Sequence, residues 1–188
     1  MVIECHVKIP QSRIGVLIGI KGKIKEELEA IANVLIQVDS EEGSVHILAT
    51  EDTPDPTFVW IVRDIVRAIG RGFSPPNAFN LLDDDIFLET IDLEGSKNNI
   101  KRLKSRIIGE KGKAKRMIEI STDALVSIYG NQVSMIGELT EIRHAREAIL
   151  QIIQGSKHST VFRNLEKLRF RSKHEPLRIW KDKSSDSD

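Results

Sequence analysis

Polar and apolar residues alternate through "IECHVKI" (3–9), the period-two pattern of a strand with one buried face. The period then changes. A short helical stretch runs up to Gly19, and beyond Gly22 the residues Ile24, Leu28 and Ile31 recur at i, i+4 and i+7, as on one side of a helix. Two β-branched runs follow, "LIQVD" (35–39) and "SVHILA" (44–49), and the polar "SEEG" between them suits a hairpin turn. A longer helical stripe of Phe58, Ile61, Val62, Ile65 and Ile69 closes the segment, with Gly70 or Gly72 placed to cap it. The whole order then returns. A strand ("FLETIDL"), a short helix, a second helix, a hairpin ("LVSIY" and "QVSMI" about "GN") and a closing helix carrying Ile142, Ala145, Ile149 and Ile152 end at Gly155. The pattern predicts β-α-α-β-β-α twice over, an α+β fold with two small antiparallel-rich sheets backed by helices.

The two passes align at an offset of 90 residues, with Ile18-Gly19-Ile20-Lys21-Gly22-Lys23 over Ile108-Gly109-Glu110-Lys111-Gly112-Lys113. The chain therefore carries an internal duplication of roughly 70-residue repeats. The expected boundaries are a first domain over 1–72, a connector over 73–85 with an acidic knot at Asp83, Asp84 and Asp85, and a second domain over 86–155. A basic extension over 156–180, in which "TVFRNLEKLRF" predicts one more helix, precedes a polar tail over 181–188 that is expected to be disordered.

Charge separates what periodicity makes alike. The 188 residues have a formal net charge of zero, yet residues 1–95 hold 8 Lys and Arg against 17 Asp and Glu, and residues 96–188 hold 20 against 11. The basic half is the candidate for a polyanion. Cys5 is the only cysteine, so neither an internal disulfide nor a cysteine-built zinc site is expected. The start lacks a secretory pattern, and apolar runs such as "FVWIV" fall far short of the roughly 20 residues that span a bilayer. A cytoplasmic, non-membrane protein is expected.

The two Gly-x-x-Gly joints are the chemically informative feature. Glycine accepts positive φ and can end one helix and begin another within a tight joint. A bare backbone there lets a phosphate reach amide groups at the positive end of the second helix. Lys21 and Lys23, and Lys111, Lys113 and Arg116, add charge at that place.

These joints, in this order of elements, resemble the KH family, whose Gly-x-x-Gly loop clamps single-stranded nucleic acid. The strand before the motif and the helix after the hairpin resemble the eukaryotic-type (type I) arrangement. The resemblance implies an aliphatic base-binding groove, lined by Leu17, Ile18 and Ile36 in the first repeat and by Ile107, Ile108 and Val126 in the second. The RNA-contacting set it suggests adds Arg13, Gly19, Ile20, Lys21, Gly22 and Lys23 to the first repeat, and Lys104, Arg106, Gly109, Glu110, Lys111, Gly112, Lys113 and Arg116 to the second.

The connector "GFSPPNAFNLLDDDIFLETIDL", with the later "GSKHSTVFRNLEKLRFRS", resembles the Dim-two (partner-of-Nob-one) family of ribosome-assembly factors over nearly the whole chain. The intact first loop resembles the archaeal branch. That resemblance implies binding near the 3′ end of small-subunit ribosomal RNA. It also implies cooperation with the endonuclease that trims this end and with the alpha subunit of translation initiation factor 2.

Between Lys97 and Arg116 stand nine cations and one acid, Glu110, whereas Glu26, Glu27 and Glu29 follow the first loop. The second repeat is therefore read as the main RNA reader, and the first as a weaker reader or a protein-docking surface. Catalysis is not expected, nor is any cofactor or metal. Neither loop has the spacing of a nucleotide-hydrolysing P-loop, and contiguous Asp83, Asp84 and Asp85 would point to alternate sides of an extended chain. Aromatics are too sparse in the hairpin strands for a base-stacking RRM sheet. A pure protein adaptor and a general KH regulator stand as the alternatives.

Overall fold

A computed structural model describes residues 3–174 apart from residues 52 and 54, with the backbone alone at 171–174. The first repeat comprises β1 (Glu4–Lys8), α1 (Gln11–Ile18), a 3-10 turn (Ile20–Gly22), α2 (Lys23–Ala32), β2 (Val34–Asp39), β3 (Ser44–Ala49) and α3 (Phe58–Gly70). The connector forms α4 (Pro75–Ala78) and a 3-10 turn (Phe79–Leu82). The second repeat gives β4 (Phe87–Asp92), α5 (Lys97–Ile108), a 3-10 turn (Glu110–Gly112), α6 (Lys113–Thr122), β5 (Leu125–Tyr129), β6 (Gln132–Gly137) and α7 (Leu139–Ile153). The expected order is present in both repeats. The segment after Gly155 forms α8 (His158–His174), and the tail expected to be disordered lies outside the described residues.

Each repeat contributes one three-stranded sheet, in the orders β1-β3-β2 and β4-β6-β5. Register explains the buried face of the first. Cys5 and Ile36 both oppose Ile47, and Val7 and Val38 both oppose Val45, so period-two alternation sends one apolar set inward. By Cα proximity the chain forms two compact units. One holds the residues up to Leu93 together with Ser127–Leu139; the other holds Glu94–Val126 and the described residues from Thr140 onward.

In the first unit α3 lies against β1 and β3 on one side and against α4 and its following turn on another. This double contact widens its buried face beyond the single stripe that the sequence predicts. Val59 and Val66 are fully enclosed along with Val62, Ile65 and Ile69, whereas Phe58 and Ile61 are only half-buried. The connector accordingly buries Phe73, Ala78 and Leu81. On α2, Leu28 and Ala32 point inward and Ile31 is exposed, one position off the predicted edge.

The two candidate capping glycines divide the work. Gly72 (φ 98°) ends α3 in a Schellman arrangement, with the Phe73 amide donating to Ala68 and the Gly72 amide to Ile69. Gly70 instead permits close packing, since a Cβ there would stand 2.6 Å from Ile9 Cγ2. Gly155 (φ 102°) repeats the Schellman pattern after α7.

In the second unit α6 lies against both α5 and α8. Ile100, Leu103 and Ile107 from α5, Ala114 and Ile118 from α6, and Val161 and Leu165 from α8 are buried. Ser96 caps α5 by accepting the Asn99 amide at 3.3 Å.

Candidate nucleic-acid interface

The two glycine joints have one conformation. Gly19 (φ 74°, ψ −178°), Lys21 (57°, 30°) and Gly22 (81°, 0°) match Gly109 (72°, 178°), Lys111 (50°, 30°) and Gly112 (76°, 12°). The first glycine of each pair occupies a region open only to glycine. Its hydrogen faces the second helix so closely that a Cβ would meet Ile24 Cγ1 at 2.5 Å in one loop and Ala114 Cβ at 2.6 Å in the other. The second glycine is constrained by φ alone. At Gly112 a Cβ would meet nothing within 4 Å, leaving room above the backbone. The Gly109 and Gly112 amides bond back to Ser105 and Gly109, and the amides of Glu110 and Lys111 between them take no hydrogen bond among the described residues.

Around this second loop some of the charges are free and some are engaged. Lys111, Lys113 and Arg116 are exposed and make no ion pair among the described residues. Lys115 is tied to Glu119 at 3.3 Å. A hollow of about 580 Å³, lined in part by Lys101, Arg102, Arg106 and Gly109, adjoins one of about 470 Å³ lined by Glu110, Lys111, Lys113, Arg116 and Met117. Arg106 itself is half-buried and donates to the Ser156 carbonyl at 2.7 Å, so it positions the chain entering α8; Lys104 is also half-buried.

The first loop differs at a few matched positions. Lys21 and Lys23 correspond to Lys111 and Lys113, but Glu26 replaces Arg116, and the tip carries the exposed Ile20 in place of Glu110. The Glu26 carboxylate stands 3.4 Å from where a Gly22 Cβ would be, beside the point an anion must approach. Arg13 serves the fold: its guanidinium donates to the carbonyls of Ile69 and Phe73 and lies 5.8 Å from the Tyr129 ring.

The six aliphatic groove residues divide sharply. Leu17, Ile36, Ile107 and Val126 are at most 2 % exposed and belong to the core beneath the surface. Ile18 and Ile108 keep surface, Ile108 at 38 %. Sequence reasoning also passed over a repeated strut. Glu29 accepts the Ile36 amide at 2.7 Å, and Glu119, 90 positions on, accepts the Val126 amide at 3.0 Å. Each is paired with a lysine one turn back, Lys25 and Lys115. The duplication itself held this signal: glutamate recurs at both positions, so Glu29 belongs to the frame and leaves Glu26 as the acid nearest the first loop.

A β-α-α-β-β-α order with a left-handed Gly-x-x-Gly joint between its two short helices defines a KH module, and this chain has two. Residues 87–170 match the eukaryotic-type (type I) KH family of the second PNO1 domain, and residues 6–84 match the first KH domain of Krr1. The chain is 44 % identical over 181 residues to a KH domain-containing protein of Methanocaldococcus jannaschii, covering 95 % of this chain and 79 % of that one. It is 27 % identical to the pre-rRNA-processing protein pno1 of Schizosaccharomyces pombe, covering 89 % of this chain and 72 % of that one. Among solved structures it is similar to the Pyrococcus horikoshii complex of a/eIF2alpha, aDim2p and rRNA (45 % identity, TM-score 0.85, 89 % of this chain and 94 % of that one). An Aeropyrum pernix protein of unknown function superposes with a TM-score of 0.87 at 35 % identity, covering 97 % of this chain and 100 % of that one. The chain belongs to the Dim2/PNO1 family of tandem KH proteins.

Proposed function

We propose that this chain binds single-stranded RNA near the 3′ end of small-subunit ribosomal RNA and acts in rRNA processing and subunit assembly. The observation that carries the reading is the second loop: an unobstructed Gly112, with amides at Glu110 and Lys111 and cations at Lys111, Lys113 and Arg116 that have no partner among the described residues. A sugar–phosphate backbone fits such a site because its charge is placed where amides and ammonium groups converge. Ile108 and the hollows beside the loop supply surface for bases. The relatives supply the target class, since they include pre-rRNA-processing proteins and a homologue in complex with rRNA and eIF2alpha.

Binding, without a catalytic step of its own, is the proposed chemistry, and the cytoplasm the proposed site of action. Partners on this reading are rRNA, the alpha subunit of initiation factor 2 and the endonuclease that trims the rRNA. Crosslinking in cells followed by sequencing of bound RNA tests the target: reads should concentrate at the 3′ end of small-subunit rRNA. Reads scattered over messenger RNA would instead support a general KH regulator. The purified protein with magnesium or manganese should leave such RNA uncut.

A further inference from the structure

A cleft outside the glycine loops collects four of the eight Lys and Arg residues of the acidic half. Its volume is about 730 Å³, and Lys8, Arg63, Arg67 and Arg71 line it with no carboxylate among the lining residues. Asp64 neutralises part of this charge, at 3.0 Å from Arg63 and 3.5 Å from Arg67. One carboxylate shared by two guanidiniums leaves an excess. Arg71 has its Nη1 atom buried with no hydrogen-bond partner among the described residues. Burial first, and Arg67 second, hold the Arg71 guanidinium below its ordinary pKa, with Asp92 acting weakly the other way. A buried, unmatched donor of this kind fits a site that completes its bonding with a ligand.

Residues 5–10 form a second wall, and Tyr129, Gly130 and Gln132 close one end. Among the described residues β1 is the edge of its sheet, paired with β3 on one side only. Ile9 donates to Gly43 and Ala49 donates to Ile3, which fixes the alternation: odd-numbered residues of β1 bond to β3. The amides and carbonyls of Glu4, His6 and Lys8 therefore point outward along the open edge.

We infer that this cleft takes an extended, acidic segment of a partner protein, added as a fourth strand along β1. Two lengths agree. Arg63 and Arg67 on α3 and Arg71 just past its end are spaced by four residues, about 6 Å of helical rise. Alternate side chains of a strand are about 6.6 Å apart. A strand with acids at every second position thus meets one arginine per acid while its backbone pairs with β1. The edge presents acceptor carbonyls as often as donors, which suits a polypeptide and repels a row of phosphates.

The probe is a synthetic peptide of about six residues, alternating Asp with Val, titrated into isotope-labelled full-length protein. Binding should shift the amide resonances of Glu4, His6 and Lys8 and protect them from exchange. Arg67→Glu, at an exposed position whose partner is Asp64, should weaken the peptide about tenfold or more and leave RNA affinity unchanged. Arg71→Lys, which keeps the charge, guards against loss of fold and should weaken binding less than Arg67→Glu. No protection of the edge amides at millimolar peptide overturns the inference. So does a fall in RNA affinity on Arg67→Glu with the peptide indifferent, which would make the cleft a nucleic-acid site. The glycine-loop reading survives either failure, because its variants are read separately.

Discussion

A Cβ at position 109 would stand 2.6 Å from Ala114 Cβ and 2.8 Å from the Ala114 amide nitrogen, whereas one at position 112 would meet nothing within 4 Å. Two glycines three apart are thus required for different reasons, the first by packing and φ together and the second by φ alone. Gly109→Ala should lower stability by about 1–3 kcal/mol, the order expected for a residue forced into a glycine-only region, and should be visible as a reduced melting temperature. Gly112→Asn should melt near the parent, because asparagine tolerates left-handed φ, yet bind RNA more weakly, because its side chain fills the anion's space. Sequence alone singled out both residues without separating these roles, since the difference lies in where α6 begins beneath the loop. It likewise grouped Leu17, Ile36, Ile107 and Val126 with Ile18 and Ile108. Apolar character is the same for all six; only tertiary packing shows which retain surface.

The order of strands and helices was legible because the duplication states each element twice. Where one copy is ambiguous, the other supports it. The edges of the helical stripes were less legible. Periodicity assumes that a helix meets one partner, but α3 meets a sheet and a folded connector, so Val59 and Val66 are enclosed as well. The cap on α5 is a local test of the element that carries the basic face. Ser96→Ala removes the side-chain acceptor for the Asn99 amide and should cost about 1 kcal/mol in chemical denaturation. The charge on α6 is testable through salt. If the loop engages three or four phosphates, log affinity should fall with log salt with a slope of roughly −2 to −3 for single strands. Replacing Lys113 and Arg116 together by glutamine should flatten that slope by about 1 to 1.5. An unchanged slope would mean that these side chains lie off the RNA path.

For the whole molecule, a zero net charge conceals two oppositely charged halves that share one backbone design. Their loops are conformationally equivalent, so selectivity between them must come from side chains. The structure reduces that difference at the loops to a few exchanges, chiefly Glu26 for Arg116, together with the cations of α5. The direct test is to measure affinity for a single-stranded oligonucleotide from the 3′ end of small-subunit rRNA with the full chain carrying either Gly112→Asp or Gly22→Asp. Both variants place the same carboxylate at the same backbone geometry. The account predicts a large loss of affinity for Gly112→Asp and a small one for Gly22→Asp; the reverse order, or equal losses, would contradict it.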